Sequence, residues 1–205
     1  MNLTDLFNNV FAALGDEVPI QDATTDTTRK AVLARNRWPA VSDAMLRSHP
    51  WNCAIKRATL APDVTVPDWP DNVNYFTWPN NPYCLRILEV QTAGLDFQIE
   101  GRKIITDSTE LAIKFVARVP VDEFDALLFE ASVDALASEL ALSLTRNPDF
   151  RQVLRDGVYA KDGKLQWARG IDGQEGRTRK SQNRPLIDAR AQRGGSAGPK
   201  EWHNL

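Results

Sequence analysis

Hydrophobic residues along this chain change their period twice. Between Leu3 and Leu14 they recur in steps of three and four (Leu3, Leu6, Phe7, Val10, Phe11, Leu14). That spacing predicts an amphipathic helix over about residues 2–14. Asn2 stands where it can cap the first turn, Asp5 falls inside that turn, and Gly15 can close the far end in the left-handed conformation. A second helical stretch is expected over 24–48, capped by Thr25 or Asp26, with Val32, Ala34, Trp38, Val41 and Met45 on one face. Pro39 removes a backbone donor inside it, which predicts a kink or two abutting helices. His49-Pro50 ends it, because a residue before proline avoids the α region.

Residues 50–82 hold six of the twelve prolines and read as an irregular connector. The period then becomes two. "CLRILEV", "LDFQIEG", "RKIITD" and "LAIKFVARV" are short, β-branched and bounded by turn residues, so three or four antiparallel strands are expected within about 75–120. Glu100-Gly101 marks a tight hairpin turn.

Helical spacing returns over 122–146, where Phe124, Leu127, Leu128, Ala131, Ala135, Leu136, Leu140 and Leu144 cover more than one stripe. A helix so broadly apolar is expected to be contacted on two sides, by its own subunit and by a neighbouring copy. Asn147-Pro148 stops it and caps the next helix, expected over 148–169 through Phe150, Val153, Leu154, Val158, Leu165 and Ala168. Asp162-Gly163 offers a hairpin as the alternative. From Gly170 glycines recur every third residue and basic and amide residues follow, so the chain reads as an extended arm over 171–205.

The resulting expectation is a mainly α member of the α+β class. It comprises an antiparallel helical bundle (1–50 and 121–170), a connector with a small antiparallel β domain between the second and third helices (51–120), and an extended C-terminal arm (171–205). At 205 residues the chain is long enough for one sizeable core. No apolar run approaches a membrane span and the N-terminus lacks a leader pattern. Two cysteines suggest no disulfide framework, which points to folding in a reducing cytoplasm. Charge is uneven. Residues 171–205 carry seven Lys/Arg against four Asp/Glu, leaving +3 there and −5 on the remainder of a chain whose net charge is −2. An arm of that kind seeks an acidic partner.

Candidate chemistry is sparse. His49 and Cys53 have the spacing of two metal ligands, but Pro50 intervenes and Cys84 and His203 would have to complete the set from afar, so no metal site is expected. Asp122, Glu123 and Asp125 read as first-turn acids that complement a helix dipole. Gly170, Gly173 and Gly176 follow no strand and precede no lysine-bearing helix, so they make no phosphate loop. Ser42, Ser48 and Ser132 lack a nucleophile elbow. No catalytic or cofactor-binding constellation is left, and the chain is not expected to be an enzyme.

Four blocks carry a resemblance: "RWPAVSDAMLRSHPWNCAIKRATLAP" at 37–62, "FTWPNNPYCLRILEVQ" at 76–91, "FQIEGRKIITD" at 97–107 and "ARGIDGQEG" at 168–176. Together they resemble the head-to-tail adaptor proteins of tailed bacteriophages, also called tail tubular protein A or neck connector proteins. Cys53 stands where that family usually has an aromatic residue. The resemblance implies a helical bundle with an inserted β domain. It also implies a ring of self-associated copies, commonly twelve, in the virion neck beneath the portal protein. Such a ring joins the portal to tail or tail-completion proteins and lets genomic DNA pass without sequence-specific binding. An acidic body would suit a lumen that DNA slides through. By the same resemblance the C-terminal extension docks on the portal. Its expected contacts are Arg177, Arg179, Lys180, Arg184, Leu186, Ile187, Arg190, Arg193 and Trp202, with Arg184 beside Pro185 the best single anchor. The polar, glycine-rich composition of 177–205 suits an arm that is mobile when free and orders on docking. Pro50, Trp51 and Trp78 are expected to be structural anchors. The alternative is a small α+β nucleic-acid-binding or ligand-binding module, although aromatic residues are missing among the arm's basic ones until Trp202.

Overall fold

The computed structural model describes residues 1–65, 74–91 and 96–175. The chain is α+β and mainly α. Helices α1 (Leu3–Ala13) and α2 (Arg29–Ser48) come first, followed by strands β1 (Ile55–Leu60), β2 (Asn74–Thr77), β3 (Cys84–Val90), β4 (Phe97–Glu100), β5 (Lys103–Thr106) and β6 (Leu111–Ala117). Helices α3 (Ala126–Thr145), α4 (Pro148–Tyr159) and α5 (Lys164–Glu175) complete it. The arm residues named above begin at Arg177 and lie outside the described residues.

Local chemistry sets the helix ends. Asn2 and Asp5 form a reciprocal capping box: the Asn2 side chain accepts from the Asp5 amide at 2.8 Å, and the Asp5 carboxylate accepts from the Asn2 amide at 3.0 Å. Gly15, at φ +83°, provides the left-handed exit. Asn147 caps α4 by accepting from the amides of Asp149 and Phe150, with Pro148 in the first turn. Asp125 caps α3 through the amides of Leu127 and Leu128. Asp122 and Glu123 instead lie in a preceding 3-10 turn, and Glu123 pairs with Lys56 at 2.9 Å, so only one of the three acids serves the helix start.

Several sequence expectations need correction. Helix α2 starts at Arg29 rather than near Thr24, because Asp22 and Asp26 turn back onto Thr24, Thr25 and Thr28 in local side-chain loops. It runs as one helix through Pro39, and Val32 is exposed while Ala31, Ala34, Val41 and Met45 form the buried stripe. Strand β1 occupies part of the stretch read as connector, and among the described residues five further strands, β2 to β6, form where three or four were expected. The expected helix over 148–169 is two helices, since Asp162-Gly163 makes a turn between α4 and α5 instead of a hairpin. A methyl on Gly163 would sit 2.5 Å from the Val158 carbonyl oxygen, so the chain reverses where only glycine fits. Helix α5 then continues to Glu175, through residues read as the start of the arm.

The strands make two three-stranded antiparallel sheets, ordered β1-β6-β3 and β2-β5-β4. β6 is central in the first and buries Leu111, Ile113 and Phe115 on one face. In the second, Glu100 pairs with Lys103 across a Gly101-Arg102 turn with Gly101 at φ +57°, one residue later than expected. Helix α2 packs on the first sheet through β3 and β6. Arg118, just past β6, bonds to Asp43 with both nitrogens of its fork, and Arg47 donates to the Leu85 carbonyl at 2.8 Å.

Helix α3 sits among the others and packs against α1, α2, α4 and α5. Phe129, Ala131, Val133, Leu136 and Leu140 are buried on different sides of it. Much of the apolar surface that suggested a neighbouring copy is covered by the helix's own chain, while Leu142 stays exposed.

Candidate functional site

The sequence His49-Pro50-Trp51-Asn52 forms the corner where α2 turns toward β1. Pro50 stops the helix and leaves its last carbonyls without helical partners. Trp51, fully buried, donates its indole N–H to the Met45 carbonyl at 3.0 Å, and the Ser48 hydroxyl donates to the same oxygen at 2.6 Å. The His49 ring meets Trp51 edge-on, with centroids 4.8 Å apart.

This corner is fastened to α5. Asp172 is only 7% exposed, and three bonds join it to the corner. His49 Nε2 lies 2.9 Å from Asp172 Oδ2, the Asn52 amide donates to Oδ1 at 2.9 Å, and the Asn52 side chain donates to the Asp172 carbonyl at 2.8 Å. A carboxylate only accepts, so His49 carries its hydrogen on Nε2. Asp172 extends the buried face of α5 after Leu165 and Ala168. An acid on an apolar stripe was the sequence signal for it, and reading the chain from 171 onward as arm concealed it.

A second junction forms around Trp78. The Arg102 guanidinium stacks 5.4 Å from the Trp78 ring and 4.1 Å from Tyr83, while donating to the carbonyls of Cys84 at 3.0 Å and Pro79 at 3.2 Å. Arg118 stacks on Tyr83 as well, at 4.5 Å. One arginine from the β4–β5 turn thereby organises the loop before β3, in the bidentate and stacked manner lysine cannot reproduce. Trp51 and Trp78 are therefore both packing residues at junctions, with Pro50 setting the first.

The other candidates disperse. His49 is engaged by Asp172, and Cys53 is half-buried beside it with its thiol pushed up to about 11, chiefly by burial and further by the charges of Asp125 and Asp172. Burial likewise pushes the Cys84 thiol up to about 11. Among the described residues no group of three or more His, Cys, Asp or Glu side chains is placed to hold a metal. Gly170 and Gly173 lie within α5. Ser42 and Ser132 are buried, and Ser48 caps α2. Among the described residues no helix is long and apolar enough to cross a membrane.

Among the described residues several large apolar side chains remain on the surface, Val18, Val64 and Leu142 among them. Val153, Tyr159 and Trp167 are exposed on α4 and α5, and Phe97 and Ile99 on β4, an edge strand. The sequence matches no protein-family model and no curated protein.

Proposed function

We propose that this chain is a structural head-to-tail adaptor of a tailed phage, a ring-forming neck component that joins the portal to the tail and lets DNA pass. In that reading the helices form the bundle, the strands form its inserted β domain, and residues 177–205 form the portal-docking arm. The observation that carries the proposal is the fastening of α5 by Asp172 to His49 and Asn52. It ties the two most distant of the four resembling blocks together and fixes on the body the helix that leads into the basic arm. Exposed apolar side chains on α4 and α5 (Val153, Tyr159, Trp167) and on β4 (Phe97, Ile99) suit a head-to-tail contact between copies. Repeated around an axis, such a contact closes into a ring.

Residues 1–175 form one compact unit, so the test is a deletion of 177–205. The truncated protein should fold and fail to join portal-bearing heads, as scored by electron microscopy and co-sedimentation. Attachment at wild-type affinity would refute the docking role of the arm. Particles with a single copy in the neck would refute the ring.

A further inference from the structure

We propose that the cleft between the ends of α2 and α4 and the middle of α5 is a carboxylate-binding site built on Arg169. The site takes a carboxylate on a short aliphatic stem, and the inference stands whether or not the chain is a phage adaptor.

The cleft measures about 170 Å³. Its apolar wall comes from Met45, Val158 and Leu165, and its polar rim from Tyr159, Gln166 and Arg169. The Arg169 Nε is buried and has no hydrogen-bond partner. Among the described residues no carboxylate forms an ion pair with this guanidinium and no carbonyl accepts from it. Arginine stays charged at any physiological pH, and leaving its buried Nε–H without an acceptor is costly even though the side chain as a whole is only half-buried. Three arginines near the α2–sheet junction are answered: Arg118 by Asp43, Arg102 and Arg47 by backbone carbonyls. Arg86 Nε and Arg169 Nε are both buried without a partner, and of the two Arg169 lines this cleft.

The surroundings select the ligand. A guanidinium fork matches the two oxygens of a carboxylate, and the wall of Met45, Val158 and Leu165 suits a few methylenes behind it. The Ser48 hydroxyl is spent on the Met45 carbonyl, so it adds no donor. Two sources supply this chemistry: a free aliphatic acid, and an aspartate or glutamate side chain of a second copy of this acidic body.

The probe is butyrate, with butyramide as its neutral isostere, titrated into full-length protein while the Arg169 side-chain Nε–Hε resonance is followed by NMR. Butyrate should shift that resonance saturably in the millimolar range, and butyramide should not. Arg169→Gln should weaken binding at least tenfold, as read on the resonances of neighbouring residues. Arg169→Lys, which keeps the charge but not the fork, should fall between. Dilution without butyrate separates the sources. Self-association that salt and Arg169→Gln both abolish assigns the site to a second copy, and its absence assigns it to a free acid. A resonance that butyrate leaves unmoved, with no Arg169-dependent self-association, overturns the proposal. So does equal binding of butyrate and butyramide. The wild-type resonance makes the test independent of how well the variants fold.

Discussion

Replacing Asp172 with alanine should detach α5 from the body. Besides this fastening the helix packs on α3 and α4 and carries a half-exposed Lys164–Asp134 ion pair at 2.6 Å. It spans twelve residues and carries Gly170 and Gly173 in its interior, and besides Asp172 it buries only Leu165 and Ala168. Each internal glycine costs about 1 kcal/mol relative to alanine, and a helix this short is marginal without tertiary support. Asp172→Ala removes the acceptor of the Asn52 amide and of His49 Nε2, both at 2.9 Å. A hydrogen bond to a charged group contributes about 1.5–3 kcal/mol. His49 is one-fifth exposed, so water replaces part of its loss. The net cost should be about 2–4 kcal/mol, or about 4–16 °C in Tm for a chain of this size. Asp172→Asn keeps the oxygen facing the Asn52 amide and should cost about half as much.

Thermal and urea unfolding of wild type, His49→Ala, Asp172→Ala and the double variant measure the pair directly. The cycle should return a coupling of about 1–2 kcal/mol. Hydrogen exchange adds a local reading, because amides of 164–175 should lose protection before those of α3. A cost below about 0.5 kcal/mol, typical of an ordinary surface change, would show that the buried carboxylate is not what holds α5. A coupling of zero would show that His49 and Asp172 act independently.

Three further outcomes follow from named geometry. Gly163→Ala should destabilise by about 2–3 kcal/mol, since its methyl meets the Val158 backbone at 2.5–2.7 Å, whereas Gly157→Ala in α4 opens onto free space and should stabilise by about 0.5–1 kcal/mol; melting curves of the two variants decide. Arg102→Ala should cost about 2–3 kcal/mol in denaturant unfolding, and Arg102→Lys should recover little of it because it restores neither the two carbonyl bonds nor the stacking on Tyr83. The Asp22 carboxyl is held low by the Thr24 amide and then by the Thr24 and Thr25 hydroxyls, and Asp26 by the Thr28 hydroxyl and amide. Groups depressed in the folded state stabilise it above the ordinary carboxylate range and lose that contribution as pH falls through their folded values. Stability should therefore decline on acidification below about pH 4, and the Asp22→Asn, Asp26→Asn double variant should show a shallower decline in urea midpoints.

What the sequence revealed of the fold was what the chain decides locally. The Asn2–Asp5 capping box, the Asn147-Pro148 start and the left-handed Gly15 are each settled within four residues, and all were legible. Strand β1 was not, because "IKRATL" becomes a strand through its register with β6, Ile55 opposite Val116. That pairing spans most of the β region, and no local window contains it. The break at Gly163 depends on how closely the returning chain passes Val158. The extension of α5 to Glu175 is a tertiary effect overriding propensity: two glycines argue against a helix there, and Asp172 seated among His49 and Asn52 outweighs them.

The candidate site was less legible for a related reason. The most distinctive residues of the quoted blocks fasten segments distant in sequence. The His-Pro-Trp-Asn corner closes on Asp172, and the Glu-Gly-Arg turn closes on the loop holding Trp78 and Tyr83. Their specificity is that of a junction, where a polar group surrounded by apolar ones must find one particular partner. A surface that meets another protein obeys a looser rule, since it needs apolar area and little else. In sequence, Val153 and Leu154 look equally suited to a core. Only the packed helix shows Val153 to be 66% exposed while Leu154 rests against the core. Motifs of this kind therefore speak first of architecture. Function has to be sought on the side chains they leave outside, on α4, α5 and the β4 edge.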